Sequence, residues 1–308
     1  MDGLNASPMR MALWFLLPGL GVALTNRSLA QEQRCDPDFD TRVNNPAYTE
    51  KGPRVLFDEA HHNFHTVNGR YKPFADLIRS DGYLVTPSRE EFIPGLLSKF
   101  DILVIANALG AERLGAREAA NSAFAEEECD AVRDWVQAGG CLLLITDHYP
   151  TGHAAEDLAR RFGVQMSKGM TDEYLFTSER GLPAAHPIVR GRSAAEQVHR
   201  VRTFTGQSLK GPAESTSLLV LPEGAEEMRP DPVDHYDRTK ASKGPAVHPS
   251  QGVALTFGRG RVVVLGEAAM LSAQLAGERR FGMNAPDIDN RQLALNIMHW
   301  LSRLLPER

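Results

Sequence analysis

Two uninterrupted apolar segments restrict the fold of this chain more than any other feature. They are "DILVIANAL" at 101–109 and "CLLLITDH" at 141–148. Apolar runs without alternation are typical of strands that are buried on both faces, as in parallel sheets. Between them, "FAEEECDAVRDWVQAGG" begins with acidic residues and ends at Gly139-Gly140, which is the signature of a helix. This strand–helix–strand order predicts a parallel sheet covered by helices.

The same order extends in both directions along the chain. "RVLFDEA" and "YLVTPS" predict strands on either side of the helical segment "GRYKPFADLIRSDG". Downstream, "GVALTFGRGRVVVLGEA" predicts a hairpin, and "NRQLALNIMHWLSRLL" predicts a C-terminal helix with Leu304 in its apolar face. We therefore expect one α/β domain at 52–305, with a mostly parallel sheet and helices on both of its faces.

The region of about 165–250 does not follow this order. It contains short apolar stretches such as "HPIVRG" at 186–191, which we interpret as a strand. The segment 222–250 carries several prolines and predicts a long loop, which in a compact domain is usually functional or disordered. We expect an irregular, β-containing insertion in the α/β domain.

The N-terminus has the pattern of an export signal. Arg10 precedes the apolar run "MALWFLLPGLGVALT", and Ser28 and Ala30 are small residues at the positions that a signal peptidase reads. We predict a signal peptide at 1–30, an extended arm at 31–51 and a periplasmic or secreted mature protein without a membrane span. An uncleaved N-terminal anchor is the alternative.

Charge excludes some classes of partner. The chain has 308 residues, 42% of them hydrophobic, and a formal net charge of −5. It contains no basic run, so neither a nucleic acid nor an anionic membrane surface is favoured as a partner. The sequence makes no prediction about oligomeric state.

Polar and titratable residues follow four of the predicted strands, at the carboxyl end of each. Ligands of open α/β sheets bind beyond these ends. We predict catalytic roles for His61, His62, Asp147, His148 and Glu267. We predict ligand-binding roles for Asp58, Glu59, Asn63, His65, Asn107 and His153. The first four strand-end residues, Asp58, Glu59, His61 and His62, are expected to face Asp147, His148 and Glu267 across one cleft.

The histidines leave two chemistries open. Imidazole and carboxylate groups suit several divalent metals, but "HHNFH" matches no known ligand spacing. Acid–base or hydrogen-bonding use without a metal is the broader option. No particular metal ligand is predicted, and a bound divalent metal stays an alternative.

Four stretches also carry a family resemblance: "FDEAHHNFH", "FDILVIANAL", "AVRDWVQAGGCLLLITDH" and "GRGRVVVLGEAAMLS" with the closing "DNRQLALNIMHWL". Over about 52–304 the chain resembles the class I glutamine-amidotransferase-like superfamily. It is most similar to bacterial domains of unknown function related to a gliding-motility transporter component and to an intraflagellar-transport subunit. The resemblance implies a flavodoxin-like fold and a ligand-binding role, with carbohydrate proposed and no established activity.

The chain departs from that superfamily at the position of its nucleophile. Amidotransferases place a cysteine on a sharp turn between strand and helix, and the matching stretch here, "ITDHYPTG", has neither Cys nor Ser. Cys141 belongs to this strand but lies at its other end. Covalent acyl-enzyme chemistry is therefore disfavoured, and the catalytic residues of the superfamily cannot be carried over.

Three functions are consistent with these observations. The first is the binding of a small polar ligand, such as a glycan or a cell-envelope fragment, at the carboxyl edge of the sheet. The second is a hydrolase or lyase that uses histidine and carboxylate, with or without a metal. The third is a structural role in an assembly of the cell envelope.

Overall fold

The computed structural model describes residues 33–231 and 237–307; the predicted signal peptide lies outside the described residues. Within them the chain forms seven α-helices and seventeen strands. The helices are α1 (Lys72–Ser80), α2 (Pro94–Leu97), α3 (Glu126–Gln137), α4 (Thr151–Ala154), α5 (Glu156–Arg160), α6 (Pro187–Arg190) and α7 (Asn290–Leu301). The strands are β1 (Arg34–Cys35), β2 (Arg54–Asp58), β3 (Leu84–Ser88), β4 (Ile102–Ala106), β5 (Cys141–Ile145), β6 (Gln165–Met166), β7 (Met170–Thr171), β8 (Tyr174–Thr177), β9 (Arg200–Thr203), β10 (Leu209–Lys210), β11 (Thr216–Ser217), β12 (Glu226–Arg229), β13 (Ser242–Pro245), β14 (Gly252–Phe257), β15 (Gly260–Leu265), β16 (Ala273–Ala276) and β17 (Arg279–Gly282).

A seven-stranded, mostly parallel sheet forms the centre of the molecule. Its order is β11–β14–β15–β5–β4–β2–β3. Strands β3, β2, β4, β5 and β15 pair in parallel, while β14 and β11 add antiparallel pairs at one edge. Every residue of β4 and of β5 is buried, as their continuous apolar sequences predict. The predicted α/β class with a mostly parallel sheet is confirmed.

Two apolar clusters cover the two faces of this sheet. On one face, α1 and α7 pack through Phe74 and Trp300 against sheet residues such as Phe57. On the other face, α3 and α5 pack through Val132 and Leu158 against residues such as Leu56. Neighbouring residues of β2 therefore point to opposite faces, as in any strand.

The region 165–250 consists of short strands and turns. Strands β6 to β13 lie here, and they form small antiparallel sheets apart from β11, which joins the central sheet. The predicted strand "HPIVRG" is wrong: residues 187–190 form helix α6, in which Pro187 is the first residue and His186 caps the helix by accepting the N–H of Ile188. The segment 222–250 also contains β12 and β13 and is not a structureless loop.

Two details of the termini differ from expectation. The arm is not merely extended, because β1 pairs with β16 and thereby becomes an edge strand of a three-stranded sheet. Helix α7 ends at Leu301, so Leu304 lies outside it and is 39% exposed. Gln33 is the first described residue, so the arm is described only from that point.

Candidate functional site

The loop after β2 is organised around Asp58, the last residue of that strand. Its carboxylate is buried and accepts hydrogen bonds from the backbone N–H of Ala60 and from the amide of Asn63. The side-chain oxygen of Asn63 accepts the backbone N–H of His61 at 3.1 Å. Asp58 and Asn63, both predicted ligand-binding residues, therefore shape the loop from the inside.

His61 lies between two carboxylates and is only 6% exposed. Its Nδ1 is 2.9 Å from Asp58 Oδ1, and its Nε2 is 3.0 Å from Glu128 Oε1 on α3. Both ring nitrogens can donate to carboxylates only when the ring is an imidazolium. Burial opposes that charge, but the hydrogen bonds and charges of Asp58 and Glu128 outweigh it and raise the pKa of His61. The two bonds occupy both nitrogens, so His61 acts here as a structural cation.

Glu128 is the partner of His61 that sequence reasoning missed. It accepts the backbone N–H groups of Phe92 and Ala125 as well as the His61 ring. Burial opposes its charge, but these donors outweigh burial and lower the pKa of Glu128. The only sequence signal was the acidic start of the helix, which indicates a capping carboxylate but not its contact with His61.

The other residues of this loop diverge from His61. His62 is exposed and has a left-handed backbone, with φ of 48°. His65 is buried and stacks on Tyr71 with ring centroids 4.7 Å apart. Burial, followed by the charge of Arg70, lowers the pKa of His65 to about 3, so its ring is neutral. Glu59 accepts the N–H of Val67.

His61 and His65 belong to different faces of the sheet. The His61 ring contacts Phe92 and Phe124, which belong to the cluster of α3 and α5. The His65 ring contacts Tyr71, which belongs to the cluster of α1 and α7. We predicted that His61 faces Asp147 across one cleft. The ring contacts of His61 instead direct it toward Phe92 and Phe124.

Asn107 connects this loop to the loop after β5. It follows β4 with a left-handed backbone, φ of 49°, and its backbone oxygen accepts the N–H of Phe64. Its side-chain oxygen accepts the N–H of Asp147 at 3.0 Å. Asn is one of the few residue types that adopts this backbone readily. Asn107 thus sets the position of Asp147 and is itself buried.

Asp147 and His148 form a turn whose side chains are partly accessible. Their side chains are 17% and 35% exposed, respectively. Asp147 Oδ1 accepts the N–H of His148, and His148 Nδ1 donates to the carbonyl of Tyr149 at 2.9 Å. The Nδ1–H bond orients the ring so that Nε2 lies 3.6 Å from Asp147 Oδ1. A carboxylate and an imidazole nitrogen are therefore held side by side.

Thr151 and His153 complete this turn. Thr151 Oγ1 accepts the N–H of Asp147 and donates to the carbonyl of His148, so it holds the turn and is not a free nucleophile. His153 is half-buried, with its ring edge against Tyr149 at 5.2 Å. Cys141 lies at the opposite end of β5 and is buried, and burial raises the pKa of its thiol. These positions agree with the absence of a nucleophile from the turn.

Glu267 is completely buried at the end of β15. Its two carboxyl oxygens accept the N–H groups of Ala269 and Met270, each at 2.8 Å. Burial, followed by the negative charge of Asp147, raises the pKa of Glu267 well above its usual range. The group therefore favours the protonated carboxylic acid, beside a second carboxyl group that is open to solvent.

Tyr71 shares this environment. It is fully buried and donates its hydroxyl to the carbonyl of Ala268 at 2.7 Å. Burial, followed by the charges of Glu267 and Asp147, raises its pKa. Tyr71 therefore packs in the core while its hydroxyl feels the charges of both carboxyl groups.

The segment 203–207 covers Glu267 and forms a roof over this edge of the sheet. Gln207 is fully buried and donates its amide N–H to the carbonyl of Asp147, while its amide oxygen accepts the N–H of Lys168. Thr203 donates to Gln251, whose amide donates to Thr171. These buried polar residues lie far apart in sequence and inside irregular stretches, so no periodic signal could have identified them.

No metal-binding group emerges from these contacts. Within 33–231 and 237–307, no three His, Cys, Asp or Glu side chains are placed to hold a metal ion together.

The three cysteines are free thiols; Cys35 is half-buried and donates to the carbonyl of Gly69. Across 33–231 and 237–307 no helix is long and apolar enough to span a membrane.

Replacing Glu267 with glutamine should alter stability in a pH-dependent way. Both oxygens accept backbone N–H groups, so the amide loses one of these bonds and we expect a loss of about 1–3 kcal/mol near pH 5. The raised pKa of Glu267 makes the wild type lose stability as the pH rises from about 4.3 through the folded value, whereas glutamine does not titrate. Urea unfolding should show a difference in stability between wild type and variant that narrows as the pH rises above about 4.3. A gap independent of pH would mean that Glu267 is ionised.

Comparisons with known proteins give a likeness of fold. No protein-family model matches the chain, and no curated protein matches it. Among solved structures, the protein titled "mmIFT52 N-terminal domain" has a TM-score of 0.57 at 14% identity, over 80% of this chain and 97% of that one. This likeness supports, for the fold alone, the predicted resemblance to an intraflagellar-transport component.

Two further solved structures are less similar. A protein from Salmonella typhimurium titled as cytoplasmic has a TM-score of 0.45 at 12% identity, over 81% of this chain and 98% of that one. A protein from Parabacteroides merdae titled as ThuA-like has a TM-score of 0.47 at 13% identity, over 84% and 93%.

Proposed function

We propose that this protein binds a small polar ligand, a glycan or cell-envelope fragment, through Asp147 and His148 at the carboxyl edge of an amidotransferase-like domain without the nucleophile. One observation carries the proposal. Asp58, His61 and Glu267 are sealed inside the protein, whereas the Asp147 and His148 side chains stay 17% and 35% exposed. The accessible pair lies at the edge where open α/β sheets bind their ligands.

The rigidity of this pair supports the proposal. The backbone N–H of Asp147 is held by Asn107 and Thr151, and its carbonyl is held by Gln207. The His148 ring is oriented by the carbonyl of Tyr149. Polar groups that are fixed before binding lose little entropy when a ligand arrives. A carboxylate oxygen accepts hydrogen bonds from hydroxyl groups, and an imidazole nitrogen either donates to them or accepts from them, so both can bind the hydroxyl groups that glycans carry.

Substitution of this pair should remove binding without unfolding the protein. Asp147→Asn and His148→Ala should each weaken binding at least tenfold, because each loses a polar contact worth about 1.5–3 kcal/mol. Urea midpoints should change little, since both side chains are partly exposed. The measurement is isothermal titration with a muramidase digest of bacterial cell wall and with a panel of monosaccharides.

His199→Ala serves as the matched control, because His199 is an exposed histidine elsewhere in the fold. It should bind as the wild type does. Equal binding by His148→Ala and wild type, or no binding of any digest component by the wild type, would contradict the proposal.

Acid–base catalysis is a second candidate, and one observation favours it. Glu267 and Asp147 are neighbouring carboxyl groups whose surroundings differ, because Glu267 is sealed with a raised pKa while Asp147 reaches solvent. Because Glu267 is sealed, Asp147 would be the carboxyl group that contacts the substrate of such a hydrolase or lyase, and Glu267 would act through it. This activity would be established if the wild type cleaves components of the digest and Glu267→Gln binds them without cleaving them. If the wild type cleaves none of the components, binding is the only function that the site supports.

We also propose that the protein is exported and matures at Gln31. The basic residue, apolar run and small residues before that position support this proposal. Mass spectrometry of the protein from its native host should show Gln31 as the first residue. Soluble protein that retains Met1 would contradict export.

A further inference from the structure

The N-terminal arm and the C-terminal part of the fold form an open cavity of about 260 Å³ between them. Its lining includes Asp36, Asp38, Phe39, Arg280, Asn284 and Arg291. We propose that this cavity, termed the arm pocket, binds the zwitterionic head of a free α-amino acid. The ammonium group would lie against Asn284 and Asp38, and the carboxylate would lie against Arg280. The arm pocket shares no residue with the carboxyl-edge site, so the two proposals stand independently.

Asn284 supplies an acceptor that has no donor in the protein. Asn284 is 9% exposed, and its Nδ2 donates to Asp36 Oδ2 at 2.9 Å and to the carbonyl of Gln274 at 3.1 Å. Two acceptors on one side fix the orientation of the amide, because the reversed amide would place its oxygen against both. Oδ1 is therefore the free end, and among the described residues nothing donates to it. A buried acceptor favours a ligand that brings an N–H or O–H group.

Asp36 builds the wall of the pocket. It is 8% exposed, and its two oxygens accept the N–H of Asp38 and the amide of Asn284. Its own N–H donates to the carbonyl of Ala273, the first residue of β16. The carboxylate thus fixes both Asn284 and the backbone of Asp38, and it adds negative charge on the side where we place the ammonium group.

Arg280 and Asp38 provide the two opposite charges. Both are exposed, and across 33–231 and 237–307 neither side chain forms a salt bridge. Their neighbours are paired: Arg279 binds Glu173, and Asp40 binds Arg42. Arg291 donates to the carbonyls of Asp40 and Arg42 and so anchors the arm. The unpaired carboxylate and the unpaired guanidinium therefore line one small cavity without neutralising each other.

Size and charge together select the ligand class. The cavity, at about 260 Å³, is slightly smaller than the usual range for ligand pockets of about 300–1,000 Å³, which favours a small molecule. A ligand with one positive and one negative group satisfies both charged side chains, and its ammonium also satisfies Asn284 Oδ1. A neutral sugar would leave both charges without an ionic partner. A free α-amino acid carries this pair of groups on one carbon atom.

Titration of the full chain tests the proposal. Each common L-amino acid is titrated by calorimetry and saturation-transfer NMR up to about 10 mM, a range that covers weak small-ligand affinities. The best binder is then compared with its N-acetyl and its C-amide forms and with glucose. We expect both modified forms to bind about tenfold to hundredfold more weakly, because each loses one charge-assisted contact.

Variants locate the binding. Arg280→Gln and Asp38→Asn should each weaken binding by about tenfold or more, and both positions are exposed, so folding should persist. Arg279→Gln is the matched control, because it removes the same residue type from the adjacent position outside the pocket. Binding that survives Arg280→Gln and Asp38→Asn, binding of glucose in place of amino acids, or no binding by the wild type would each overturn the proposal.

Discussion

Replacing Glu128 with alanine should lower the free energy of unfolding by about 3–5 kcal/mol, because it leaves a buried imidazolium with one carboxylate partner. The substitution removes the 3.0 Å contact with His61 Nε2 and also deprives the N–H groups of Phe92 and Ala125 of their acceptor. Glu127→Ala is the matched control, since Glu127 is the exposed preceding residue of α3. It should change stability by less than about 0.5 kcal/mol.

The effect of Glu128→Ala should depend on pH in a defined window. The raised pKa of His61 means that its contribution is fully present below about pH 6.5 and is lost as the pH rises through the folded value. The lowered pKa of Glu128 means that its contribution is present above about pH 4.3 and is lost as the pH falls through the folded value. Urea unfolding should therefore show the largest difference between about pH 4.5 and 6.5. A difference that keeps growing above pH 8 would show that His61 is not the partner.

Gly206→Ala is expected to be the second severe substitution, with a loss of about 3 kcal/mol or more. Gly206 has φ of 104°, and a Cβ atom there would lie 2.5 Å from the carbonyl oxygen of Gly266 and 2.7 Å from Glu267 Cβ. The backbone strain costs about 1–2 kcal/mol, and the overlap adds about 1–3 kcal/mol. The overlap should displace the segment 203–207 from Glu267. Because Gln207, the next residue, donates to the carbonyl of Asp147, ligand binding at Asp147 should also weaken.

Gly224→Ala separates the two contributions. Gly224 has φ of 75° but open space where its Cβ would lie. It should lose only the strain term of about 1–2 kcal/mol. Equal losses at the two positions, measured by urea unfolding, would mean that the segment 203–207 does not press on Glu267.

The sequence predicts the sheet well because burial on both faces leaves a strong local signal. The continuous apolar residues of β4 and β5 could form little else, and helices on both faces follow from the strand–helix order. The prediction of a strand for "HPIVRG" was wrong because a run of only three apolar residues, Pro187, Ile188 and Val189, fits a short helix as well as a strand. Pro187 at the first helical position was the signal that distinguishes the two.

The strand-end residues of the candidate site could be grouped from the sequence, but the directions of their side chains could not. Parallel strands bring their carboxyl ends to one edge, so Asp147 and Glu267 could be grouped from strand order alone. The direction of His61 depends on the left-handed turn at His62 and on Glu128, which lies 67 positions away. The roof depends on Gln207, which lies 60 positions from Asp147. Contacts of this kind leave no periodic trace.

Hydrogen–deuterium exchange of the full chain, with and without the muramidase digest, tests the central claim most directly. If Asp147 and His148 contact the ligand, the amides of residues 146–153 should become protected, and His148→Ala should abolish that protection while the rest of the fold exchanges as in the wild type. Protection confined to the arm pocket, with residues 146–153 unchanged, would contradict the assignment of the carboxyl edge as the ligand site.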